Sequence, residues 1–157
     1  MDYEGEIFPW FHQNHVAAKF RARDGRNISY YRPQKKSHDS AVVILPGRTE
    51  PALKYAELCW DLRHLKVDFF ILDHRGQGFS DRLLPDPQKG HVGKFRDYVR
   101  DLRRFNRIII KRRKYLNHYL IAHSMGTIVG MLYAQKHPRF FRAMVLSTPM
   151  LQLRLRD

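Results

Sequence analysis

Four short apolar runs constrain this chain more than anything else in it: AVVILPG (41–47), VDFFILD (67–73), HYLIA (118–122) and AMVLS (143–147). None shows the polar–apolar alternation of a strand with one wet face. Each has the length and content of a strand buried on both faces, which is the signature of a parallel sheet covered by helices. The intervening segments supply the helices. TEPALKYAELCWDLRHL carries Pro51 near its first turn, where proline is tolerated. KFRDYVRDLRRFNRIII places Phe95, Tyr98, Val99, Leu102, Phe105 and Ile109 on one face. MGTIVGMLYAQKH stops at Pro138.

Upstream, AKFRARDGRNISYYRP predicts a hairpin turning at Asp24-Gly25. Residues 33–40 form a polar loop, and 1–15 an irregular arm bearing Phe8, Trp10 and Phe11. An antiparallel hairpin followed by β-α-β-α-β-α-β predicts an α/β protein, mostly parallel, with helices on both faces of the sheet. Its 157 residues are expected to form one domain.

The strand HYLIA runs directly into AHSMG (122–126), and MGTIVGMLYAQKH begins at once. A strand-to-helix turn that tight forces a strained backbone at Ser124, so the residues two positions away must be small; Ala122 and Gly126 are. The turn would lift the Ser124 hydroxyl over the C-terminal edge of the sheet. There the free N–H groups of a helix start favour developing negative charge. The plainer reading is a serine N-cap. An oxyanion hole needs two N–H donors: that of Met125, the residue after the serine, and one from the loop LPGRTE, where Arg48 follows Pro46-Gly47. Gly47 lets that backbone turn sharply.

Several other chemistries are excluded. DHRGQG (73–78) would need glycine at 81 to be a dinucleotide fingerprint, and Asp81 stands there. No G-K-[S/T] occurs, so there is no phosphate-binding P-loop. The nine histidines and single Cys59 show no metal-ligand spacing. With one cysteine no intrachain disulfide can form, which fits a reducing compartment. The acidic, polar start is unlike a signal peptide, and no run approaches the ~18 apolar residues of a membrane span. The expected location is the cytoplasm.

The net charge of +14 bears on partners rather than on fold. Ten Lys and Arg fall between Lys94 and Lys114, against only Asp97 and Asp101. This basic helix has two readings: a solvated face, or a surface drawn to anionic lipid at ~1 kcal/mol per basic residue. No nucleic-acid-binding motif accompanies it.

Together, PGRTE, KYAEL, DHRGQGFSDRLLPDP, GHV, DYVRDL, AHSMG and TPM make residues 41–150 resemble the α/β-hydrolases. The resemblance is narrower still to the lysophospholipase L2 family, within the monoacylglycerol-lipase-like, serine aminopeptidase S33-type group. The family shares the Ala-His-Ser-Met-Gly form of the elbow. The resemblance implies a carboxylic-ester hydrolase that cleaves the acyl ester of lysophospholipids or monoacyl lipids through an acyl-serine. Ser124 would be the nucleophile, and Met125 and Arg48 would give the oxyanion N–H groups. It implies no metal or organic cofactor, and association with the inner face of the cytoplasmic membrane.

In this fold the triad runs Ser, then Asp/Glu, then His, with acid and base after later strands. The chain is therefore expected to be truncated before the cap and the last strands, to lack the triad acid and base, and to turn over little alone. Within it, His137 lies at the far end of the serine's helix, and His74 is the best stand-in base. Two alternatives remain: an esterase or peptidase on the same fold, and a non-catalytic product that binds acidic membrane.

Overall fold

The computed structural model describes residues 2–151. Among them six strands make one sheet: β1 (His15–Arg21), β2 (Asn27–Pro33), β3 (Ser40–Leu45), β4 (Asp68–Leu72), β5 (Asn117–His123) and β6 (Ala143–Ser147). Their order is β1-β2-β4-β3-β5-β6. β1 pairs antiparallel with β2, and β2 antiparallel with β4. The four apolar runs form the parallel part, β4-β3-β5-β6. The hairpin turns where expected, with Gly25 at φ 85°, a conformation open to glycine.

Period-two alternation divides the core. Val42, Ile44, Phe69 and Ile71 face one layer, packed on α1 (Phe8–Asn14) and α2 (Ala56–Asp61) through Phe11, Ala56 and Cys59. Val43, Leu45, Phe70, Leu72 and Leu120 face the other, packed on α3 (Arg96–Phe105) and α4 (Met125–Lys136) through Leu102, Phe105, Val129 and Tyr133. Both faces of β3 and β4 are buried, as continuous apolar runs require. β5 is only partly buried, and β6, expected to be buried on both faces, is not: it is the sheet's edge strand, paired with β5 alone among the described residues, and no position in it is fully buried. Each fully buried Phe, Leu or Ile contributes roughly 1.5–3 kcal/mol.

The irregular arm expected over 1–15 is not what forms. Asp2 caps a helical turn at Tyr3–Ile7 by accepting from the Gly5 N–H at 2.8 Å, and α1 follows with Pro9 in its first turn. Docking holds this short helix in place. Phe11 stacks on His15 at 4.5 Å between centroids, and Trp10 meets Trp60 of α2 edge-on at 5.5 Å. The remaining part of the expected single domain, 152–157, lies outside the described residues.

Connections on opposite faces fix where a site can sit. After β3 the chain passes through α2 to β4. After β5 it passes through α4, on the other face, to β6. Winding direction reverses between the adjacent strands β3 and β5, so a crevice opens beyond their C-terminal ends, the usual ligand position in such sheets. Pro46–Arg48 and His123–Met125 border it.

Candidate active site

At the end of β5 the ladder continues one step, with the Ser124 N–H donating to the Ser147 carbonyl at 3.0 Å. The backbone then breaks direction at Ser124, with φ 47° and ψ −115°, and α4 begins at the next residue. A non-glycine residue held there stores of the order of 1–3 kcal/mol. The N-cap reading fails. An N-cap serine is extended and accepts from the first helical turn, whereas the Ser124 side chain makes no such bond. The α4 start is instead closed by Thr127, whose N–H and hydroxyl both donate to the Ser124 carbonyl at 3.0 and 2.6 Å.

Small neighbours are required, as the sequence indicates. Ala122 is fully buried in register between Leu45 of β3 and Leu146 of β6. A Cβ on Gly126 would run into the Leu45 carbonyl oxygen and come within 2.7 Å of that of Pro46. The first turn of α4 thus lies directly against the loop after β3.

That loop is held by side chains. The Gly47 N–H donates to Glu50 Oε2 at 2.7 Å, and the Thr49 N–H to Gln77 Oε1 at 2.9 Å. Gln77 Nε2 donates back to the Gly47 carbonyl at 3.1 Å. Between these two occupied donors, the Arg48 N–H has no partner among the described residues. The Met125 N–H, first in its helix, also lacks an intrahelical acceptor. The two donors expected for an oxyanion stand on the two sides of the crevice.

Glu50 is the residue that sequence reasoning missed. Its Oε2 accepts from Gly47 and from the Tyr55 hydroxyl (2.7 Å) and contacts His123 Nδ1 at 2.9 Å; its Oε1 accepts from Lys54 at 2.6 Å. Burial alone would raise its pKa, but the bonds from Lys54, Tyr55, His123 and Gly47 prevail and hold it at about 2. One carboxylate therefore ties the loop after β3 to the residue before Ser124. The same packing explains Gly47: a Cβ there would meet Glu50 Oε2 at 2.7 Å and His123 Nδ1 at 2.9 Å.

The loop after β4 supports this arrangement from below. Asp73, fully buried, accepts the Ala52 and Phe79 N–H groups at 2.6 and 2.9 Å. Arg75, also buried, grips Asp101 of α3 with Nε and Nη2 at 2.7 and 2.8 Å, and reaches Asp24 of the hairpin turn at 2.9 Å. Burial alone would lower the Arg75 pKa; the bonds and charges of Asp101 and Asp24 outweigh it and raise it.

His74 is not the stand-in base suggested by its position. It is buried, Nε2 lies 3.1 Å from the Pro46 carbonyl, and burial depresses its pKa to about 4. His137 caps the opposite end of α4, roughly 18 Å along the helix axis. Among the described residues no imidazole or carboxylate pairs with the Ser124 hydroxyl.

A parallel sheet with an antiparallel hairpin on one side, and a strained serine between strand and helix at the switch point, defines the α/β-hydrolase fold. An alpha/beta hydrolase from Novosphingobium aromaticivorans superposes on it with a TM-score of 0.67 at 22% identity, over 85% of this chain and 44% of that one. The chain belongs to the serine aminopeptidase S33 family, whose model matches residues 36–157. It is 44% identical over 139 residues to lysophospholipase L2 of Escherichia coli K12, covering 88% of this chain and 41% of the relative. It is 34% identical over 151 residues to a probable lysophospholipase L2 of Haemophilus influenzae, covering 92% of this chain and 46% of the relative. The chain thus spans less than half the length of these relatives.

Proposed function

We propose that Ser124 is the nucleophile of a carboxylic-ester hydrolase acting on lysophospholipids or other monoacyl lipids. The observation that carries this reading is the Ser124 backbone: a strained serine, free of capping duty, at the switch point beside two unengaged N–H donors. The substrate class rests on the similarity to the lysophospholipases.

In the reaction, Ser124 Oγ attacks the ester carbonyl carbon while an imidazole takes its proton. The carbonyl oxygen becomes an oxyanion facing the Met125 and Arg48 N–H groups. Collapse breaks the acyl–oxygen bond, the proton passes to the departing alcohol, and water then hydrolyses the acyl-serine. Glu50 holds the Arg48 loop against His123, so the donors are in position before substrate arrives. The imidazole and its acid partner belong after later strands in this fold, within the length by which the relatives exceed this chain. Residues 1–157 therefore carry the nucleophile and oxyanion half of the machinery and turn over substrate barely or not at all. The exposed basic side of α3 supports a cytoplasmic protein working at an anionic membrane surface.

The test is labelling of the 157-residue chain with a fluorophosphonate. Slow labelling at Ser124, abolished by Ser124→Ala, is expected. Oxyanion contacts and binding alone leave about 10³–10⁴ of catalysis over water. Equal labelling of wild type and variant would remove Ser124 from the mechanism. Turnover of lysophospholipid by this chain near ~10 s⁻¹, an ordinary enzymatic rate, would show that it contains its own base.

A further inference from the structure

The outer side of α3 carries Arg96, Arg100, Arg103, Arg107 and Lys111, all exposed and spaced three or four residues apart, so that they form one stripe along the helix and its continuation. The stripe ends in a groove of about 500 Å³ that the hydrolase chemistry does not use. This groove lies between the end of α3, the start of β5 and the end of α4, at the edge of the sheet opposite Ser124. Arg103, Arg107, Lys111 and Arg139 line it, together with His118 and His137, and no carboxylate does. Among the described residues none of these four cations makes an ion pair, whereas Arg100, further up the stripe, is bonded to Asp97 at 2.7 Å.

The two imidazoles record the resulting field. His118 stacks on Phe140 with centroids 4.6 Å apart, and its Nε2 is buried without a hydrogen-bond partner. Its pKa is lowered by burial and by Lys111, although the backbone at Phe140 opposes this. His137 is lowered by burial and then by Arg103, Lys111 and Lys136. The charged groups around them come from α3 and the turns after it, from α4 and from the 138–140 loop, and all are positive. Tyr133 of α4 also lines the groove.

We propose that this groove is a phosphate-binding site, taking a phosphomonoester or inorganic phosphate between Arg103, Arg107, Lys111 and Arg139, independently of Ser124. Three arginines favour phosphate, because guanidinium forks match its oxygens in bidentate pairs. A phosphate dianion compensates charge that no residue of the site compensates. Its arrival favours the charged imidazoles, so binding draws protons onto His118 and His137, and for an anion whose own charge does not change, as sulfate's does not, binding tightens as pH falls. The phosphate has two natural sources, a lipid headgroup and a free phosphate.

The full 157-residue chain is titrated with inorganic phosphate, and with sulfate, which stays dianionic between pH 5.5 and 8. The imidazole C–H resonances of His118 and His137 are followed. Both should shift, and sulfate should raise both apparent pKa values. Arg103→Glu with Arg107→Glu should weaken phosphate binding about thirtyfold, two lost charge-assisted contacts at roughly a factor of five or more each. Both arginines are exposed, and Arg103→Gln with Arg107→Gln, which adds no repulsion, should show a smaller loss in the same direction. Lys35→Glu with Lys66→Glu, which changes net charge equally outside the groove, should leave binding within about twofold. Vesicles containing phosphatidate separate the sources. If phosphate releases the chain from them, and the arginine variant does not bind, the headgroup occupies the groove. If the variant binds vesicles as well as wild type while losing phosphate, the ligand is free phosphate. Equal weakening by the lysine pair, or histidine titrations that sulfate does not move, would reduce the groove to general attraction by a +14 chain and overturn the proposal.

Discussion

Replacing Glu50 by Gln removes one charge and leaves the shape nearly unchanged, and its cost follows from the bonds in place. The carboxylate serves four donors: Gly47, Lys54, Tyr55 and His123. Together they bring its pKa from an ordinary 4.5 to about 2. At about 1.4 kcal/mol per tenfold, that preference is worth roughly 3 kcal/mol at neutral pH. Lys54, one of the donors, is well exposed and screened by water, so we take about 2 kcal/mol. The folded-state pKa is depressed, so the stabilisation is fully present above pH ~4.5 and is lost as pH falls toward 2. Urea unfolding of wild type and Glu50→Gln should therefore differ by about 2 kcal/mol at pH 7, and the gap should shrink steadily below pH 4.5. Fluorophosphonate labelling of Ser124 should slow in the variant even at temperatures where it is fully folded, because the Arg48 loop loses its tie to the elbow. An equal stability difference at pH 7 and pH 2.5 would refute the electrostatic account. Unchanged labelling would refute the positioning role.

Arg75→Ala should be the most damaging single change outside the elbow, because Asp101 is left buried without its partner, at about 3–5 kcal/mol; thermal unfolding reads this. Arg75→Lys should recover only part, since an ammonium cannot span both Asp101 oxygens as the guanidinium does at 2.7 and 2.8 Å. At the sheet edge, Val145 of β6 is 60% exposed beside backbone that pairs only with β5 among the described residues. Such an edge invites strand-to-strand association, so Val145→Lys should shift the 157-residue chain toward monomer in sedimentation velocity without moving its unfolding midpoint by more than about 0.5 kcal/mol.

β3 and β4 were legible because a strand buried on both faces must be apolar at nearly every position, and such a run closed by Pro-Gly or Asp has few other uses. The same apolar pattern located β6 but misjudged its burial, because an edge strand's exposure depends on what lies beside it. The elbow was legible for a related reason. Its backbone allows only small residues at 122 and 126, and that restriction is written locally, around one serine. Helix α1 was not legible. Seven residues beginning Phe-Pro-Trp are too few to hold a helix in water, and this one exists because Phe11 and Trp10 find His15 and Trp60 after folding.

The polar framework of the site was hidden by sequence distance. Glu50 reads as an acid near a helix start, a common and undemanding place for one, yet its partner His123 lies 73 residues away. Asp101 reads as one of two acids tempering a basic helix, when it is the buried anchor of Arg75. A signal was present in that case: Asp101 shares the apolar face of Tyr98, Leu102 and Phe105, where a carboxylate is costly unless paired. Apolar pattern therefore places the crevice between β3 and β5, but long-range charged pairs fix the loops around it to within hydrogen-bonding distance. A homologous chain could keep every strand and the AHSMG turn and still lose the tie between the loop after β3 and His123 through a single change at residue 50.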